Sequence, residues 1–288
     1  MLLIIGFVVV IASVLGGYVM SHGHLAALWQ PYELVIIGGA ALGAFIAANP
    51  MKTVKAVLSS IPHLLKGAKY KREDFVDILS MVYDVLSKMR KEGLIAVEAD
   101  IEKPDSSPLF AKYPKVQADT HLMEFTTDCL RLIVAGSMNP HELEQLLDIE
   151  LETHQKEAAE PAHAVQTLSD GLPGFGIVAA VLGIVITMGS LDGGDTAAIG
   201  AHVGAALVGT FLGILLAYGF ASPLAAAMAH HAHEEGKAFE IVKMAFVCSV
   251  RGYPPTISVE FARKLLFSDV RPSFADLETH LRGQRKAA

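Results

Sequence analysis

Residues 197–220 read AAIGAHVGAALVGTFLGILLAYGF, an apolar run without a single Asp, Glu, Lys or Arg. A helix rising about 1.5 Å per residue over that length can cross a hydrocarbon core of about 30 Å. Working outward, residues 172–188, LPGFGIVAAVLGIVITM, form a second such run, and Gly189-Ser190-Leu191-Asp192-Gly193-Gly194-Asp195 between them is rich in loop-formers. Residues 1–20 and 34–49 are apolar too, joined by a short loop containing His22, His24, Trp29, Gln30 and Pro31. Four transmembrane helices are therefore predicted. The first is read as a retained span, because no basic stretch and no small-residue cleavage site accompany it. Trp29 and Tyr32 suit a membrane–water boundary, and Tyr32 and Glu33 are expected at the surface.

The composition fits a chain divided between lipid and water. With 52% hydrophobic and 18% charged residues over 288 positions, it is too apolar for an ordinary soluble domain and too charged to lie wholly in a bilayer. A formal charge of −7 argues against nucleic acid as partner. Of 23 Lys and Arg, 14 fall in residues 51–169 and 9 in 224–288, and none in 1–50 or 170–223. By the positive-inside rule both charged segments, the N-terminal end and the C-terminus face the cytoplasm. The expected organisation is a transmembrane hairpin at 1–50, a cytoplasmic helical domain at 51–169, a second hairpin at 170–223, and a cytoplasmic extension and tail at 224–288.

The cytoplasmic part reads as all-α. Phe75, Ile78, Leu79, Val82, Leu86 and Met89 recur at helical spacing, as do Leu122, Phe125, Cys129, Leu132 and Ile133. Asn139-Pro140 predicts a helix start, with Leu143, Leu146 and Leu147 as its buried stripe. Pro104 to Pro114 reads as a connector. Residues 224–247 continue the fourth span, Arg251-Gly252-Tyr253-Pro254-Pro255 ends it, and a short helix near 256–267 follows. Cys129 and Cys248 read as small buried hydrophobes in a reducing compartment.

The spans are dense in small residues, among them Gly38, Gly39, Gly43, Gly209, Gly213 and the pair Gly200-x-x-x-Gly204, which lets helix backbones approach closely. No acidic or basic residue lies mid-span. An ion carrier needs a titratable or coordinating group there, although one charge costs about 2.5–3.5 kcal/mol on insertion scales. If the protein conducts ions, a second chain must then supply the carboxylate, and Thr187, Thr210, Tyr218 and backbone carbonyls near proline are what this chain offers. Pro173 and Pro223 flank the last two spans. From the residues alone they are helix-boundary prolines or hinges. Enzyme chemistry finds no support: His141-Glu142-Leu143-Glu144-Gln145 lacks the second histidine of a zinc protease helix, and no Gly-x-Ser-x-Gly elbow occurs. His230, His231 and His233 read as a solvated cluster, so no catalytic residue, metal site or cofactor is assigned.

Ala206-Leu207-Val208-Gly209-Thr210-Phe211-Leu212-Gly213-Ile214-Leu215 followed by Pro223 resembles the signature of the MotA family of flagellar stator subunits. The likeness takes in Gly16-Gly17-Tyr18, Gln30-Pro31, Glu33-Leu34-Val35-Ile36-Ile37, Pro173 with Phe175-Gly176-Ile177-Val178-Ala179-Ala180, and Arg271-Pro272-Ser273-Phe274. It implies an inner-membrane ring of five subunits around MotB-like chains whose transmembrane aspartate accepts the ion, pressing on the rotor protein FliG. By the same resemblance Thr210, Ala180 and Tyr218 line the ion route, Pro173 and Pro223 are its functional prolines, and Arg90, Glu98 and Glu150 are rotor contacts. On the residues alone Arg90 and Glu98 are a solvated helix face. Sodium-driven relatives place a hydroxyl where Ala180 stands, so the resemblance implies proton coupling. The competing readings are an ExbB/TolQ-like energy transducer, which lacks the opening hairpin, an intramembrane enzyme, and a transporter acting alone.

Overall fold

The computed structural model describes residues 2–136, 138–189 and 196–287. The turn at 190–195 lies outside the described residues. Every described element is helical: α1 (Leu2–Met20), α2 (Leu25–Leu28), α3 (Pro31–Ala48), α4 (Met51–Lys66), α5 (Arg72–Glu92), α6 (Glu98–Glu102), α7 (Pro114–Gln117), α8 (Thr120–Ala135), α9 (Pro140–Gly189), α10 (Thr196–Leu216), α11 (Ser222–Val250), α12 (Pro255–Lys264) and α13 (Phe274–Ala287). Four helical stretches are long and apolar enough to cross a membrane: Leu2–Met20, Leu25–Ala48, and parts of Pro140–Gly189 and His202–Val250. The all-α, four-span expectation therefore holds. The third span differs from its reading in one respect. It is the C-terminal part of a single 50-residue helix that contains both Pro161 and Pro173.

The chain forms two compact units, Met1–Gly67 with Ala158–His231, and Ala68–Glu157 with Ala232–Ala288. In the first, α3 buries one residue per turn, Glu33, Ile37, Ala41 and Phe45, the i, i+4 stripe of a helix docked along one face. Ile37 and Ala41 pack with Leu172, Ala179 and Ala217. Phe45 joins Val57 and Leu64 of α4, Ala162 and Val165 of α9, and Ala225 and Met228 of α11. α1 buries none of its side chains and touches α10's continuation through Phe7 and Phe220, whose ring centroids are 5.1 Å apart. Val8, Val9, Val178, Val185, Ile186 and Leu207 all point outward, a surface suited to lipid or to other apolar helices and costly in water.

The second unit has a conventional buried core. Phe75, Ile78, Leu79, Val82, Leu86 and Met89 of α5 pack with Leu122, Phe125, Cys129 and Ile133 of α8, Leu143, Leu147 and Leu151 of α9, and Phe239, Val242 and Phe246 of α11. Leu132 is partly buried against it. Leu146, expected in the buried stripe, is 36% exposed, because Leu143, Leu147 and Leu151 already fill the i, i+4 line facing the core. Both cysteines are free and buried, and burial pushes the Cys129 thiol up.

Helix ends follow local chemistry. Asn139 Oδ1 accepts from the Glu142 amide at 3.0 Å while Glu142 Oε2 accepts from the Asn139 amide at 3.0 Å, a reciprocal cap at the start of α9. Gly93, at φ 93°, and Gly136, at φ 63°, stop α5 and α8 in the region that favours glycine. Asp119 caps α8 through the Leu122 amide at 3.3 Å, pairs with Lys69 at 2.8 Å and accepts from the Tyr70 hydroxyl. Burial alone would raise its carboxyl; the bonds from Lys69 and Tyr70 outweigh that and hold it below the usual carboxylate range. Asp119→Ala is therefore expected to cost about 2 kcal/mol, the upper end for a lost cap. Thermal unfolding of the full chain in detergent would show it as a midpoint several degrees lower.

Candidate ion route and coupling elements

The crossing of α9 and α10 rests on glycines. A Cβ at Gly213 would lie 2.8 Å from the Gly176 Cα and 2.8 Å from the Leu172 carbonyl oxygen, and one at Gly176 would lie 3.0 Å from the Gly209 carbonyl oxygen. At Gly183 it would meet Ala206 Cβ at 3.0 Å. The backbones touch directly here. Gly200 and Gly204 have nothing within 4 Å of an added Cβ, so the intrachain approach is made by Gly209-x-x-x-Gly213 and not by the pair picked out in the sequence. Gly38, Gly39 and Gly43 are open as well, since α3 turns its Glu33–Phe45 stripe inward.

Thr210 and Ala179 lie at this crossing on facing helices, and Ala180 is the residue after Ala179 on α9. A Cβ on Gly176 would sit 3.4 Å from the Thr210 Cα, and one on Gly209 would sit 3.3 Å from the Ala179 Cβ. Both Thr210 and Ala180 are half-buried. Tyr218, two turns further along, is 65% exposed, so the structure does not bring it into the same packed spot.

Between α10 and α11 the helix continues through a π turn, Ala217–Ala221, just ahead of Pro223. Proline has no N–H to give the carbonyl one turn back, and a π turn absorbs such a mismatch by shifting the hydrogen-bond register. The π turn is tied to α9 as well: the buried Ser169 hydroxyl donates at 3.0 Å to the Ala217 carbonyl, which also accepts the Ser222 amide. Ser222 donates to Gln166 at 3.5 Å, and Gln166 to Asp170 at 2.8 Å. Pro173 lies one residue from Leu172, whose carbonyl abuts Gly213. Both prolines thus flank the place where α9 grips α10. Sequence reasoning missed Ser169 and the π turn; Pro223 was the only signal.

Glu33, expected at the boundary of the second span, is covered by protein. Glu33 is 7% exposed, against 81% for Tyr32. As the first residue of α3's inward stripe it turns toward α10, with its Oε2 2.8 Å from where a Gly209 Cβ would stand. The missing Cβ is what makes room for the carboxyl. Tyr32, one position earlier, points away.

The three residues that the family resemblance implies as rotor contacts form two groups. Arg90 and Glu98 are exposed on either side of the turn that ends α5. Lys88 reaches Asp100 at 2.7 Å, and Asp100 accepts from Ser107 at 2.5 Å, pinning α6 to α5. Between them Leu94 and Ile95 project at 42% and 77% exposure while Val97 is buried beneath. Glu150 belongs elsewhere, half-buried beside α8; burial and then the Asp128 charge push its carboxyl up.

Comparison with known proteins agrees with this architecture. Residues 4–93 match the motility protein A N-terminal family and residues 117–241 the MotA/TolQ/ExbB proton channel family. Motility protein A of Salmonella typhimurium is 48% identical over 285 residues, 99% of this chain and 96% of that protein. Motility protein A of Escherichia coli is 47% identical, covering 98% and 95%. Chemotaxis protein LafT of Vibrio parahaemolyticus is 40% identical, covering 97% and 98%. The fold is shared with a chain of the C. jejuni MotAB structure, at TM-score 0.75 and 19% identity over 94% of this chain and 98% of that one. With its four apolar spans, its glycine-built hairpin and this likeness from end to end, the chain belongs to the motility protein A family.

Proposed function

We propose that this chain is an ion-conducting stator subunit of a bacterial flagellar motor, turning proton flow into torque on the rotor together with a MotB-like partner. The observation that carries the reading is the near full-length identity to proteins named Motility protein A. The opening hairpin, within residues 4–93, separates it from an ExbB- or TolQ-like transducer. The outward faces of α9 and α10, with Ile177, Val181, Val185, Leu207 and Ile214 exposed, are apolar and suit sister subunits and a partner helix. Within the spans, residues 172–188 and 197–216, they carry no acid, which supports a transmembrane aspartate supplied by the MotB-like chain and a ring, five subunits by family resemblance. The protein lies in the inner membrane with both termini and the second unit on the cytoplasmic side. There Arg90, Glu98 and Glu150 meet a FliG-like rotor protein.

In this mechanism Thr210 and Ala180 flank the ion at the α9–α10 crossing and Tyr218 lies on its inward path. Movement at the crossing passes through the π turn and the Ser169 contact, between Pro173 and Pro223, into α11 and the core beneath Arg90 and Glu98. One charge crossing the membrane potential yields about 2.3 kcal/mol per 100 mV, a population shift of about fiftyfold in a two-state element. The methyl group of Ala180 offers no hydroxyl to a desolvated sodium ion, which favours the proton. No cofactor beyond the transported ion is invoked.

The test is motility of a strain lacking its own subunit, complemented with this chain and its partner. Swimming is expected to stop with a protonophore and to ignore sodium concentration. Sodium-dependent speed that survives the protonophore would overturn the proton assignment. Ion flux through the purified chain without any companion would overturn the stator reading itself.

A further inference from the structure

Among the described residues few buried side-chain polar atoms lack a hydrogen-bond partner, and two of them, Glu33 Oε2 and His202 Nδ1, belong to the outer part of the membrane hairpins. Glu33 is more than nine-tenths buried, and its carboxyl fills the space left by Gly209, the residue before Thr210. The elements around it offer no cation. The described parts of α1, α2 and α3 and the stretches 171–189 and 203–220 contain no Lys or Arg. The titratable groups on the neighbouring elements are Tyr18 of α1, His22 and His24 on the α1–α2 connection, and His202 of α10, while Tyr32 points away. His202 precedes Gly209 by seven residues on α10 and so falls on the same helix face, two turns outward.

A buried carboxyl with one oxygen lacking a hydrogen-bond partner is expensive in a membrane hairpin, and an ionisable residue in such a place points first to an ion path. Resting on the proton-driven stator reading, we propose that Glu33 is a second proton-binding residue of the ion route, placed on the outer side of Thr210 and supplied by this chain. Glu33 takes a proton from the outer aqueous side and releases the same proton toward the acid of the partner chain, returning to its starting state with no net chemistry. The α3 stripe holds the carboxyl against α10, so any shift of α10 at the Gly209 contact alters its access to either side.

The test uses the subunit assembled with its partner. Glu33→Gln keeps the shape and hydrogen-bonding capacity but carries no exchangeable acid proton, and Glu33→Asp keeps the acid on a shorter arm. Glu33→Gln is expected to reach the membrane and co-purify with the partner at normal level. It should swim several-fold more slowly and lose the wild-type dependence of speed on external pH, with Glu33→Asp restoring part of both. Infrared difference spectra of the purified complex, titrated with acid, should show a protonated-carboxyl band that vanishes in Glu33→Gln. Wild-type speed and pH dependence in Glu33→Gln would overturn the proposal, as would loss of assembly in both variants or an unchanged carboxyl band. Failure of the wild-type protein to restore swimming would count against the stator reading instead, since the infrared titration reads Glu33 without motility.

Discussion

A methyl group added at position 213 is expected to disable the membrane unit. In Gly213→Ala the new Cβ meets backbone on the facing helix, the Gly176 Cα and the Leu172 carbonyl oxygen at 2.8 Å each and the Gly176 nitrogen at 3.1 Å. Backbone cannot rotate out of the way as a side chain can, so α9 and α10 must separate at their closest point. Overpacking a tight site costs about 1–3 kcal/mol and sometimes more. In lipid there is no hydrophobic drive to press the helices back together. The displaced residues adjoin Thr210 and Pro173, so loss of swimming should exceed what reduced abundance explains. Two controls sharpen the result. A Cβ at Gly219 would meet only the side-chain ends of Val10 at 3.1 Å and Leu215 at 3.3 Å, and at Gly204 it would meet nothing within 4 Å. Gly219→Ala should be mild, and Gly204→Ala should leave the single chain intact. If Gly213→Ala supports wild-type swimming, the direct backbone contact is not required for function.

What could be seen beforehand follows from what each pattern encodes. The α5 stripe from Phe75 to Met89 was legible because a helix with one wet face writes its period into the sequence, and all six residues are buried. The spans were legible from length and the absence of charge alone. Membrane helices are apolar all round, however, so periodicity says nothing of which side packs inward. For that reason Gly200 and Gly204 looked as good as Gly209 and Gly213. Glu33 read as a boundary residue because it flanks the short apolar run 34–49; only the position of Gly209 reveals that α10 covers it. The π turn at Ala217–Ala221 is a change of backbone register with no composition of its own, and Ser169 could not be linked to it without the fold. The exposure of Arg90 and Glu98 is common to any charged surface, and the family likeness alone distinguishes them.

The Arg271-Pro272-Ser273-Phe274 segment acquires a physical role through Arg263, whose replacement should be the costliest polar change in the second unit. Arg263 is 5% exposed and donates to the Pro272 carbonyl at 2.7 Å and to both Glu260 oxygens at 2.7 and 2.6 Å. Arg271 in turn donates to the Leu266 carbonyl at 2.9 and 2.6 Å, and the Ser273 hydroxyl accepts from the Asp276 amide at 3.1 Å to open α13. The guanidinium therefore ties α12 to the turn that starts the last helix. Removing one member of a buried ion pair costs about 3–5 kcal/mol, and with Glu260 about one quarter exposed the lower end applies to Arg263→Ala. The bond from Arg263 holds the Glu260 carboxyl below its ordinary value. A carboxyl depressed in the folded state stabilises the protein above its unfolded value, and that contribution disappears as pH falls through the folded one. The gap in unfolding midpoint between wild type and Arg263→Ala should accordingly be widest near neutrality and narrow in acid, while Glu260→Gln should lose most of the pH-dependent part and keep the bond to Pro272. A gap that stays constant from neutral to acid pH would mean that the pair contributes through packing and not through charge.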